Sequence, residues 1–98
     1  MRVLLKVQLP VEAANAAIKN GSLPQTIDTF IKEHNPEAAY FFPENGKRTA
    51  MFVFDLSDPS RLPVISEPLF QNVNANLTMT PVMNYEDLQA GLRDVGSM

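Results

Sequence analysis

Five side chains in this sequence have the chemistry to act on another molecule: Lys6, His34, Tyr40, Arg48 and Glu67. Lys6 sits in "VLLKVQL"; in a water-poor pocket its pKa falls and it binds a carboxylate or acts as a base. The competing reading is a surface lysine on an amphipathic strand. Gln8, Tyr40 and Thr78 are the polar groups expected near it, and Phe52 an apolar wall. His34 is the only histidine. It closes an apolar helical stripe, where a helix C-terminal partner or half-buried filler is the simpler role. Arg48 lies by a turn and Glu67 precedes Pro68, and for both a solvated charge is the simple reading. With no cysteine and one histidine, disulfides, thiol nucleophiles and Cys-ligated metals are excluded, and no metal or other cofactor is expected. No Gly-rich phosphate loop or Ser-His-Asp context is present.

The elements that must position these groups are legible from period and turn chemistry. Val3, Leu5, Val7 and Leu9 alternate with Arg2, Leu4, Lys6 and Gln8, a strand that Pro10 ends. It reads as a strand rather than a signal peptide. "VEAANAAIKNG" favours helix with Gly21 as its stop, and "SLPQ" offers Ser22 and Gln25 as a capping box for a second helix, or one bent helix. Leu23, Ile27, Phe30, Ile31 and His34 share a stripe before Asn35-Pro36. Asn45-Gly46 is a type I′ hairpin signal that pairs Phe42 with Thr49, Phe41 with Ala50, Tyr40 with Met51 and Ala39 with Phe52. Asp58-Pro59 opens another helix, which Pro63 and Pro68 shorten or kink. Val73 to Pro81 alternate as a last strand. Asn84, with Asp87 three residues on, caps a short C-terminal helix over about 84–92.

This order predicts one α+β domain over residues 1–98: a ferredoxin-like βαββαβ sandwich with an antiparallel four-stranded sheet and both helices on one face. Paired residues share a face, so one side of the hairpin carries Tyr40, Phe42, Met51 and Val53. The other carries Ala39, Phe41, Ala50, Phe52 and Phe54. Neither is polar, and one of them must be bare. Several hundred square ångströms of apolar surface usually mark an interaction site, and the cheapest cover is a second copy about a two-fold axis. Phe41, Phe52 and Phe54 are the expected interface residues. A small, mostly apolar ligand in a pocket on that sheet face is the functional expectation.

The segment "FVFDLSDPSRLPVISEPLFQNVNANLTMTPVM" resembles the C-terminal half of muconolactone isomerases, with a strand ending in Phe-Asp, a Ser/Asp-led helix, a Pro-Leu-Phe step and a strand closing on Thr-Pro. "VQLPVE" is similar too. The resemblance implies the dimeric α/β-barrel superfamily, with ferredoxin-like subunits packed sheet to sheet around a pocket. It also implies, as the enzymatic alternative, an isomerase or a cofactor-free monooxygenase acting on a small aromatic-derived substrate. No catalytic motif of that family maps onto this chain.

The remaining classes are bounded by charge and length. A formal charge of −3 disfavours nucleic acid and anionic membranes as partners. RNA-recognition modules share this topology with aromatics on the bare sheet, but "KRTAMFVF" matches their third-strand motif only at Lys47, Ala50 and Phe54. No apolar run approaches the roughly 20 residues that span a bilayer. The expectation is a cytoplasmic homodimer.

Overall fold

A computed structural model describes all 98 residues. The elements are β1 (Arg2–Gln8), α1 (Val11–Lys19), α2 (Ser22–His34), β2 (Ala38–Glu44), β3 (Lys47–Asp55), α3 (Leu62–Val73, preceded by a 3₁₀ turn at Pro59–Arg61), β4 (Asn76–Pro81) and α4 (Tyr85–Gly96). All strand pairs are antiparallel, in the order β2-β3-β1-β4. That is the ferredoxin-like arrangement, and the chain is an α+β protein.

The hairpin forms as its turn residues dictate. Asn45 and Gly46 hold φ of 53° and 74°, and the register pairs Phe42 with Thr49 and Tyr40 with Met51. Several local details differ from expectation. The last strand begins at Asn76 rather than Val73, which ends α3, and α4 runs on to Gly96 rather than stopping near residue 92. Ser22 is not a cap: Gly21 takes φ 81° at that position, and the Ser22 amide donates to the Asn20 side-chain oxygen at 2.9 Å. Pro68 does not end α3, which runs on to Val73. Pro68 lies on the solvent side of the helix, as does Val64, whose carbonyl loses its helical donor.

Register between β1 and β3 decides which hairpin face meets the helices. Val3 pairs with Phe54, Leu5 with Phe52 and Val7 with Ala50, so these side chains point one way, under α1 to α3. Leu5, Phe52 and Phe54 are 0, 2 and 2% exposed. Phe30 on α2 stacks on Phe52 at 4.5 Å between ring centres and meets Phe54 edge-on at 6.0 Å. Arg2, Leu4, Lys6 and Gln8 point the other way, with Tyr40, Phe42, Met51, Val53, Asn76, Thr78 and Thr80. The two edge strands each carry a proline, Pro43 in β2 and Pro81 in β4. Because Phe52 ties sheet to helix, Phe52→Ala lowers stability by about 3–5 kcal/mol in urea denaturation. An unchanged midpoint would show that the ring carries no core packing.

Candidate functional site

The sequence-predicted site residues fall on opposite sides of the sheet. Thr78, Lys6, Met51 and Tyr40 form one row across the open face, and Asn76, Gln8, Thr49 and Phe42 form the next. Phe52 is not among them, because it lies in the core beneath α2. The expected interface set is displaced for the same reason. Phe52 and Phe54 are buried under the helices, and Phe41, 54% exposed, is on the helix side at the sheet edge. The apolar residues of the open face are Leu4, Tyr40, Phe42, Met51 and Val53.

Lys6 is already engaged. Its ammonium pairs with the Glu44 carboxylate, and Gln8 Nε2 donates to the Glu44 carbonyl at 3.4 Å. The charge the sequence offered as a base is thus half of an ion pair spanning β1 and the end of β2. Glu67 is exposed on α3, on the far side of the sheet from this pair. His34 is a packing residue: its ring stacks on Phe30 at 4.7 Å and lies 6.1 Å from Phe54.

The best-formed hollow is under the helices, between α2 and the β2–β3 hairpin. It has a volume of about 380 Å³ and is walled by Val7, Leu9, Leu23, Ile27, Phe30 and Ala50, among others. Its origin is a size mismatch along one row of the sheet. Val7, Ala50 and Phe41 are cross-strand neighbours, and the single methyl of Ala50 leaves space that α2 does not fill. An alanine set among Phe41, Phe42, Met51 and Phe52 is the trace of this hollow in the sequence. Arg48 and Thr26 also line it, and so do Thr49 and Phe42 at the strand ends, although register turns their side chains to the open face. Arg48 Nη2 donates to Asn15 Oδ1 of α1 at 3.0 Å, and no carboxylate pairs with it.

No protein-family model matches this chain, and no curated protein is detectably similar to it. The class defined by the geometry is a ferredoxin-like α+β fold with an apolar hollow behind its sheet and no helix over the face in front of it.

Burial lowers the pKa of His34 below its ordinary value near 6.5; the Glu33 carboxylate opposes this and Arg61 adds to it. The unfolded chain takes up the proton first as pH falls, so it binds more protons than the folded chain between the two values. Stability is therefore full above the ordinary value and declines as pH drops through it. Urea midpoints measured downward from about pH 7 should fall, and His34→Gln should flatten that slope. A slope unchanged by the substitution would assign the effect to other groups.

Proposed function

We propose that the chain works as a homodimer, joined through the open sheet face, whose subunits each bind a small, mostly apolar molecule with an acidic end. The hollow behind the sheet is the observation that carries the ligand half of this reading. Its volume of about 380 Å³ falls within the roughly 300–1,000 Å³ of small-molecule sites. Its wall is hydrocarbon and aromatic apart from Thr26, Thr49 and Arg48. A carboxylate at the mouth would replace Asn15 as the Arg48 partner, exchanging a neutral acceptor for a charged one.

Binding is favoured over catalysis because Arg48 is the only titratable side chain in the wall. A proton transfer beside a carbonyl needs a base within reach, and Lys6 and His34 both lie outside this hollow. The dimer half rests on the open face, where Tyr40 is 68% exposed beside the half-buried Leu4, Phe42, Met51 and Val53. Covering such a patch is worth about 25 cal/mol per Å² before association costs.

Straight-chain carboxylates of six to ten carbons, titrated against a bound naphthalene-sulfonate dye, should displace it saturably. Arg48→Ala should weaken the acids by about tenfold and leave the matching alcohols unchanged. Ala50→Leu should close the hollow and abolish both. Displacement that is linear, or equal for acids and alcohols, would sink the ligand reading. For the dimer, sedimentation equilibrium should give twice the chain mass at micromolar concentration, and Met51→Asp should give the single mass with its helical signal intact. A wild-type monomer overturns this half.

A further inference from the structure

The last helix has nothing of its own chain to lie on. Tyr85, Leu88, Leu92 and Val95 are spaced three, four and three residues apart, which puts them on one stripe. They are 72, 39, 58 and 61% exposed, and α4 buries no residue at all. The radius of gyration is 15.8 Å, where a compact chain of this length has about 13 Å. The longest dimension is 56 Å against a thickness of 17 Å, so α4 stands off the body as an arm. A reciprocal cap starts it: the Asp87 amide donates to Asn84 Oδ1 at 2.8 Å, and the Asn84 amide donates to Asp87 Oδ2 at 3.1 Å. A cap does not sustain it, because an isolated helix of about 12 residues is marginal in water and Gly91 weakens it further. A surface must hold this helix.

The root of the arm says which surface. Arg2 points from β1 to the open face, and its guanidinium bonds Glu37 at 2.5 Å and Asp87 in the first turn of α4 at 3.3 Å. The Val82 amide donates to the Arg2 carbonyl at 3.1 Å. The arm therefore leaves the body at the rim of the face where the second sheet is placed above. The helix side of the same chain is covered by α1, α2 and α3 except at the hollow, which lies by the hairpin turn, at the other end of β1 from the root of the arm.

We infer that α4 is an exchanged arm: each copy of the homodimer lays its Tyr85/Leu88/Leu92/Val95 stripe on the other copy. This rests on the sheet-to-sheet dimer proposed above and says what completes it. With strands about 4.8 Å apart and a rise of about 3.3 Å per residue, the open face offers roughly 400 Å² per copy. A stable interface takes about 800 Å² per partner. A 12-residue helix is about 18 Å long and 10 Å wide. One given and one received add nearly as much area again, so the arm supplies the half that the sheet lacks. The polar side of the arm carries Glu86, Asp87 and Asp94 against Arg93, which suits solvent and repels an anionic membrane.

The chain has no cysteine, so a single Leu92→Cys accepts an environment-sensitive fluorophore at one point. Its emission should shift to the blue along the same concentration curve on which the mass doubles in sedimentation. Separately, Leu88→Asp/Leu92→Asp should weaken self-association by at least about 100-fold, with the urea midpoint of the body unchanged when both proteins are compared at a dilution that leaves them monomeric. A dimer as tight as wild type in that variant overturns the arm and leaves the sheet dimer standing. Blue emission in the monomer, or an unfolded double variant, also overturns it, since either means that the helix packs on its own subunit. A wild-type monomer removes the dimer and the arm together.

Discussion

A two-layer sandwich can cover only one side of its sheet, and the hairpin of this chain is apolar on both. The helices close over the side that holds Phe52 and Phe54, because β1 pairs with β3 so that Val3, Leu5 and Val7 point the same way. Once that pairing is made, Tyr40 is left exposed and Phe42, Met51 and Val53 only half-buried. The same register sets Lys6 and Glu44 on the uncovered side, where they neutralise one another. Their attraction is modest because both remain about one-third exposed. Its consequence is geometric: it sets a charge pair between the apolar hairpin residues and the polar Gln8, Asn76 and Thr78 of the same face.

The buried side has its own unevenness. Phe30, Phe52, Phe54 and His34 form a stacked group near the middle and one end of α2. Toward the hairpin turn the sheet presents Ala50 instead, and the packing opens into the hollow. Close packing at one end and space at the other belong to the same helix resting on side chains of unequal size. Arg48 stands at the open end, and its bond to Asn15 links the hairpin to α1.

Much of this was legible from local signals. Asn45-Gly46 set the hairpin register residue for residue, and Asn84 with Asp87 announced the last helix. The alternation in β1 separated Lys6 and Gln8 from the core. What failed lay beyond local reach. The hairpin has no polar side, so its residues alone leave its orientation open. That depended on β1, some 45 residues away in the chain, and it moved Phe52 and Phe54 from the interface to the core. The capping box at Ser22 lost to a glycine with φ 81° and to the Asn20 side chain. Pro68 was tolerated because it faces outward, a matter of helix rotation rather than sequence. The hollow depended on how far α2 could descend onto Ala50, which only packing decides.

The prolines at the two margins of the sheet have a further effect. An outer strand with free amides is a template on which another strand can add, and chains joined that way grow without limit. Pro43 in β2 and Pro81 in β4 each withhold a donor at such a margin. Endless lateral growth is thereby discouraged on both sides, and contacts made broadside, which close on themselves and stop, are left as the economical route to assembly.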